Sequence, residues 1–143
     1  MKKITPILCI SVILICGGCA IFSGSTREVT TPSQALIGHW RLADGSGEVY
    51  FSEDGTYRFS ASDGSEGISD YRILMEDSAE RTLICLIRLK EMGGEPVKGE
   101  KELMVEGSFS PDYLIHTGKS LAEGGEEVGT FSMEYVDDVQ SPF

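Results

Sequence analysis

From residue 34 onward, apolar side chains recur at every second position, and this alternation restricts the fold more than any other feature of the chain. A repeat of two residues is that of a β-strand with one buried face, whereas an amphipathic helix repeats near 3.6 residues. Gly, Asp, Ser and Pro interrupt the alternation at short intervals, as turn residues do. The pattern predicts one short helical turn at 32–37 and eight strands, at 39–43, 47–52, 56–61, 68–75, 81–90, 101–110, 113–117 and 128–136.

The stretch FSEDGTYRF, residues 51–59, allows two hairpin registers that the apolar pattern can distinguish. A two-residue turn would place Phe51 and Tyr57 on opposite faces of the hairpin. A three-residue loop instead pairs Phe51 with Tyr57 and brings the large apolar side chains of both strands to one face. Because a slip of one residue turns every side chain over, we predict the three-residue loop, with Gly55 in the left-handed conformation.

The same reasoning applies to two further loops. A four-residue loop over 44–47 would set Leu42 opposite Val49, and a three-residue loop, 110–112, would set Phe109 opposite Tyr113. In this arrangement both histidines of the chain, His39 and His116, point outward. The predicted inner face consists of Trp40, Leu42, Val49, Phe51, Tyr57, Phe59, Tyr71, Ile73, Met75, Leu83, Cys85, Ile87, Leu89, Leu103, Val105, Phe109, Tyr113, Ile115, Phe131, Met133 and Tyr135.

Eight consecutive hairpin strands with one apolar face favour an all-β, up-and-down barrel, because closing the sheet removes its unpaired edges. A sandwich of two sheets is the alternative. The predicted domain spans residues 34–138 and leaves a C-terminal tail at 139–143.

The segments LIGHWRL and GEVYFSEDGTYRF resemble the opening of bacterial lipocalin-like domains, which have a Gly-x-Trp element followed by a Phe-x-x-Asp-Gly-Thr-Tyr hairpin. This resemblance implies a lipocalin-like β-barrel and, in some members, a small apolar ligand. The residues that carry it are Gly38, Trp40, Phe51, Asp54, Gly55, Thr56 and Tyr57.

An eight-stranded barrel is either filled by its own side chains or holds one small ligand. The many aromatic residues of the inner face favour a filled interior, whereas Gly107, Thr117 and Gly129 fall in phase with inner positions and would leave space near one end. The candidate ligand-lining residues are Trp40, Phe51, Tyr57, Phe59, Tyr71, Tyr113, Phe131 and Tyr135.

The N-terminus has the pattern of an export signal. Two lysines precede an apolar run over 4–16 that is shorter than the roughly 20 residues of a membrane-spanning helix. Gly17-Gly18-Cys19 then resembles the lipobox of bacterial lipoproteins, which implies a signal peptide at 1–18 and a lipid on Cys19. A polar tether, 19–33, would follow. The protein is then expected in the cell envelope, anchored to a membrane by this lipid (the outer membrane if the cell is Gram-negative); ordinary cleavage after Ala20 would instead give a secreted or periplasmic protein.

Charge and composition narrow the classes of function. The formal net charge of −11 argues against nucleic acid or anionic lipid surfaces as partners and would attract a basic protein. Two histidines cannot form a three-histidine metal site, and no Gly-x-Ser-x-Gly nucleophile motif is present. Once a signal is removed and Cys19 is lipidated, Cys85 is left as a buried hydrophobic residue. We therefore expect no catalytic residue, metal or cofactor.

Two functions remain open at this point. The first is a non-catalytic, lipid-anchored barrel that binds a small apolar or amphipathic ligand. The second is a protein-interaction module that uses its acidic surface, for example an inhibitor of a basic enzyme such as lysozyme.

Overall fold

The computed structural model describes residues 27–142, apart from the side chain of Glu100, and this part of the chain folds into a closed barrel of eight antiparallel strands. Each strand pairs with its neighbours in sequence, and β1 pairs with β8. The predicted all-β, up-and-down barrel is confirmed, and the two-sheet alternative is wrong. The elements are α1 (Pro32–Leu36), β1 (Gly38–Leu42), β2 (Gly47–Phe51), β3 (Thr56–Ala61), β4 (Glu66–Asp77), β5 (Thr82–Met92), β6 (Glu95–Phe109), β7 (Ile115–Leu121) and β8 (Glu127–Asp137).

The predicted signal peptide, the lipidation of Cys19 and most of the predicted tether lie outside the described residues. Within residues 27–142, no helix is long and apolar enough to span a bilayer.

One end of the barrel, here called the closed end, is covered by α1. The helix begins after Thr31, whose hydroxyl accepts a hydrogen bond from the amide of Gln34, and Pro32 occupies its first turn. Leu36 is completely buried, and its carbonyl accepts a hydrogen bond of 2.8 Å from the indole nitrogen of Trp40. The predicted helical turn therefore exists and plugs this end of the barrel.

The β2–β3 hairpin has the predicted register. Phe51 pairs with Tyr57, and Val49 pairs with Phe59. Gly55 has a φ of +86°, the left-handed conformation that the three-residue loop requires.

The β1–β2 register differs from the prediction by two residues. Val49 pairs with Trp40 rather than with Leu42. The observed loop spans 43–46, within which the amide of Gly45 donates to the carbonyl of Leu42 at 3.0 Å. Since side chains alternate with a period of two, this shift leaves the inner face of β1 unchanged.

The β6–β7 register differs by three residues, and this shift reverses β7. Phe109 pairs with His116, whereas the prediction paired it with Tyr113. Because the shift is odd, every side chain of the strand turns over. His116 is therefore buried, with 1% of its surface exposed, while Ile115 is 43% exposed and Thr117 points outward. The predictions that His116 faces outward and that Ile115 and Thr117 face inward are wrong.

The cause of this shift lies in the loop before β7, which spans 110–114 instead of the predicted 110–112. The Asp112 carboxylate accepts hydrogen bonds from the Ser110 hydroxyl and from the amide of Leu114. Tyr113 takes a positive φ of 59° and donates its amide to the carbonyl of Ser110. These local bonds stabilise a five-residue loop, so Tyr113 lies before the strand and not within it.

A bulge in β4 changes one further assignment. The β4–β5 pairing is irregular between Ile73 and Met75, and Met75 is 65% exposed although the alternation predicts it to be inside. The extra residue of a bulge interrupts the alternation of faces.

Two glycines allow β6 and β7 to approach closely. Gly107 and Gly118 are directly paired. A Cβ atom on Gly118 would overlap the carbonyl oxygen of Glu106, and one on Gly107 would overlap the ring of His116. The strands therefore require glycine at both positions to enclose the histidine.

We predict that Gly118→Ala destabilises the barrel by about 2–3 kcal/mol, because the added methyl group meets the backbone of the neighbouring strand. Gly129→Ala on β8 is the control, since a Cβ atom there has no neighbour within 4 Å. The free energies of unfolding of both variants are measured by urea denaturation monitored by tryptophan fluorescence. Equal free energies of unfolding for the two variants would contradict the close approach.

Candidate functional site: a cavity inside the barrel

The end opposite α1, here called the open end, contains a cavity of about 590 Å³. It is formed by residues of β3, β4, β5 and β6 together with the start of the loop 122–126. Its walls are largely apolar, and its charged side chains belong to the rim. The lining residues are Tyr57, Phe59, Gly67, Ser69, Ile87, Leu89, Met92, Lys101, Glu102, Leu103, Ala122 and Glu123.

A second cavity of about 130 Å³ lies deeper in the barrel. Tyr57, Ile87 and Leu103 line both cavities, so the two follow one another along the barrel axis. The inner cavity extends to Leu36 of the helical plug and to His116 on β7. The two cavities are therefore adjacent, and together their lining residues extend from the open end to the floor of the barrel.

Aromatic packing seals the floor beneath the inner cavity. The Trp40 ring meets Phe109 at 5.9 Å and Tyr135 at 5.5 Å between ring centroids. The guanidinium of Arg27 lies 3.6 Å from the centroid of the Tyr135 ring and donates to the carbonyl of Ala35 at 2.6 Å. Partial burial lowers the pKa of Arg27, which stays protonated because its ordinary value is far above neutral.

His116 is the most buried ionisable group at the floor. Its ring is stacked on Phe109, with centroids 4.2 Å apart and an angle of 10° between the planes, and the edge of Phe131 meets it at 5.1 Å. Within residues 27–142, neither ring nitrogen has a hydrogen-bond partner. Burial lowers the pKa of His116 to about 3, so the imidazole is neutral at pH 7.

Ser69 is a second buried polar residue without a partner in the described part of the chain. It is 1% exposed, pairs with Tyr57 on β3 and with Leu89 on β5, and lines the outer cavity. Its hydroxyl has no hydrogen-bonding atom within reach. Ser69 and His116 are thus two unsatisfied polar groups in the walls of these adjacent cavities.

The remaining ionisable groups of the interior are uncharged at neutral pH. Burial raises the pKa of the Cys85 thiol to about 12 and also raises the pKa of Tyr57. Cys85 is 1% exposed, as expected for a buried hydrophobic residue. The inner cavity therefore offers hydrogen bonds and apolar contacts but no charge.

The structure divides the eight candidate lining residues into two groups. Phe51, Tyr57, Phe59 and Phe131 line one or both cavities. The other four surround the closed end and are not among the lining residues: Trp40 bonds to α1, Tyr71 donates to the Ser52 carbonyl, Tyr113 packs on Phe109, and Tyr135 covers Trp40.

Several lining residues were missed by the sequence reasoning for identifiable reasons. His116 was assigned to the outer face because the β7 register was predicted three residues away. Ser69 is in phase with the inner residues Tyr71 and Ile73, so the alternation itself indicates that Ser69 faces inward. A single serine among apolar residues nevertheless also fits a position exposed to solvent. The aliphatic walls at Ile87, Leu89 and Leu103 were correctly predicted to be inside the barrel but were not singled out as lining.

His39 lies on the outer face, as predicted, but is 8% exposed. Its ring is stacked on Tyr50 at 4.3 Å and lies 3.3 Å from carboxylate oxygens of both Glu48 and Asp137. Among the side chains of the described range, no three His, Cys, Asp or Glu are grouped to hold a metal ion.

Comparison of the chain with protein-family models, with curated proteins and with solved structures found no match.

We predict that His116 makes the fold less stable in acid. In the unfolded chain the imidazole takes up a proton near pH 6.5, whereas in the barrel it does so only near pH 3. Between these values the unfolded state binds the extra proton, so the free energy of unfolding falls as the pH drops from 6.5 toward 3, by about 3–5 kcal/mol over that range.

The measurement is urea unfolding from pH 7 to pH 4, with His116→Phe as the control. The variant retains every carboxylate, so the difference between the two pH profiles isolates the histidine. Parallel profiles would show that the imidazole is not buried as a neutral group.

Proposed function

We propose that this protein is a non-catalytic binding barrel that takes up a small apolar or amphipathic ligand through its open end. The observation that carries the proposal is the pair of adjacent cavities, which share three lining residues. The outer volume of about 590 Å³ is within the range of ligand pockets, and both cavities are walled mainly by apolar side chains. A barrel filled by its own side chains would contain neither of these cavities.

The distribution of charge supports an amphipathic ligand in particular. Lys101, Glu102 and Glu123 are at the rim, while no Lys, Arg, Asp or Glu lines the described inner cavity. An apolar portion would gain about 25 cal/mol for each Å² that it removes from water, and any charged portion would remain at the rim.

The position of the chain ends fits attachment at the closed end. Arg27, the first described residue, is bonded beneath the plug, and Gln140 accepts a hydrogen bond from Ser52 in a closed-end loop. An N-terminal tether would therefore leave the barrel opposite its mouth. If Cys19 carries a lipid, as the sequence predicts, the tether would join the barrel at the closed end and leave the mouth of the cavity uncovered.

Binding of a basic protein is a second candidate function, and the surface charge favours it. Much of the basic charge on the barrel wall is engaged in cross-strand ion pairs, whereas many acidic groups are exposed. A partner with a basic surface would be attracted, and ionic strength would weaken the attraction. The cross-strand ion pairs of the barrel wall are Arg41–Glu48, Arg88–Glu102, Lys90–Asp70 and Lys119–Glu106.

We predict that the purified protein binds the neutral apolar dye Nile red and that Leu103→Trp lowers the affinity at least about tenfold. Leu103 lines both cavities, so a larger ring there obstructs them. Fluorescence titration at low and high salt gives the affinity. The affinity should not change with salt, because the contacts in the cavity are apolar.

Leu74→Trp is the matched control, because Leu74 is 47% exposed and lines neither cavity. Circular dichroism confirms that both variants are folded. Equal loss of dye binding in the two variants, or no binding by the parent protein, would reject the cavity as a binding site.

A further inference from the structure

Three polar side chains around the floor have hydrogen-bond partners, whereas His116 has none among the described residues. The Trp40 indole, the Tyr71 hydroxyl and the Tyr135 hydroxyl donate to a carbonyl or carboxylate oxygen. Buried polar side chains in folded proteins are nearly always hydrogen-bonded, so an exception marks a position where another molecule can complete the bonding. His116 is 99% buried, lines the inner cavity, and has both nitrogens without a partner in the described residues.

The barrel holds this ring in one place. Phe109 stacks on one face of it, Phe131 meets it edge-on, and its Nε2 atom occupies the space that a side chain on Gly107 would need. A rigid, preorganised polar group loses little conformational entropy when a ligand binds. The imidazole therefore has the properties of a recognition group and not those of a mobile surface histidine.

The chemistry of the ring selects the kind of group that can bind it. A neutral imidazole has one N–H donor and one acceptor nitrogen. A hydroxyl group is likewise both donor and acceptor, and it is uncharged. A carboxylate would lose its hydration and find no Lys or Arg among the described residues that line the inner cavity, where an uncompensated charge is costly.

Ser69 is a second polar residue without a hydrogen-bond partner in the described part of the chain, and it lies between the open end and the floor. Ser69 lines the outer cavity, and its inner neighbour across the strands, Tyr57, lines both cavities. The polar atoms along the two cavities are thus few and widely separated, and the walls between them are aliphatic or aromatic. This arrangement suits an apolar body with a single uncharged polar end.

We propose that the ligand of this site is an apolar alcohol that enters with its hydroxyl group first and is held at the barrel floor by His116. The inference rests on the proposed function, because it specifies the chemistry of the ligand that the cavity takes up. It assigns His116 as the residue that determines specificity and the aliphatic walls as the source of affinity.

The test compares 1-heptanol, 1-chloroheptane and heptanoate as competitors of Nile red, in the parent protein and in His116→Phe. The ratio of heptanol affinity to chloroheptane affinity should fall about tenfold in the variant, the effect of one hydrogen bond. Heptanoate should bind the parent protein at least about tenfold more weakly than heptanol.

A direct measurement does not depend on the folding of the variant. In the parent protein, the ¹⁵N signals of the His116 imidazole should shift on addition of 1-heptanol and stay in place with 1-chloroheptane. The assignment of those signals uses the near-complete burial of His116 and the contrast with His39, whose ring nitrogens lie beside carboxylates.

The outcomes separate the two proposals. If Nile red binds but the affinity ratio and the imidazole signals do not change, the assignment of His116 is overturned and the binding barrel stands. Tightest binding by heptanoate would overturn the hydroxyl as the recognised group. If neither dye nor competitor binds, the binding function fails and this inference with it.

Discussion

Closure of the sheet by the pairing of β1 with β8 is the constraint on which the rest of this structure depends. In that pair Trp40 is aligned with Tyr135, and Leu42 with Met133, so the apolar faces of the first and last strands meet inside the barrel. Closure removes the free edges and gives every alternate side chain a common interior. Closure of the sheet also leaves two ends to the barrel, and the helical plug and most of the aromatic residues fill only one of these ends.

The uneven filling of the interior accounts for the candidate site. At the closed end, large rings pack against the helical plug, and the Trp40 indole donates a hydrogen bond to the Leu36 carbonyl of that plug. Toward the open end the walls are aliphatic side chains and short residues such as Gly67 and Ser69, which do not reach across the barrel. His116 lies where these two regions meet, which explains why it is both held rigidly and adjacent to free volume.

The two register errors show how far local pattern reasoning can be carried. The predicted β1–β2 register was wrong by two residues, and the inner face of β1 was still correct because the period of a strand is two. The predicted β6–β7 register was wrong by three residues, and the same rule reversed the faces of β7. Hydrogen bonds of Ser110 and Asp112 within the loop decided the second case, and an apolar pattern carries no information about them.

The amino-acid sequence by itself determined the all-β class, the number and approximate positions of the strands and the β2–β3 register, because alternation and a glycine in a tight loop are local properties. The start of β6 was predicted six residues late, at 101 instead of Glu95. The sequence also placed four of the eight candidate lining residues on the cavity wall. Only the tertiary structure decided that His116 faces inward, that Trp40 and Tyr135 belong to the floor, and that free volume remains above them. These depend on hydrogen bonds between strands and on how side chains from opposite walls meet, and neither is encoded in any short segment of the chain.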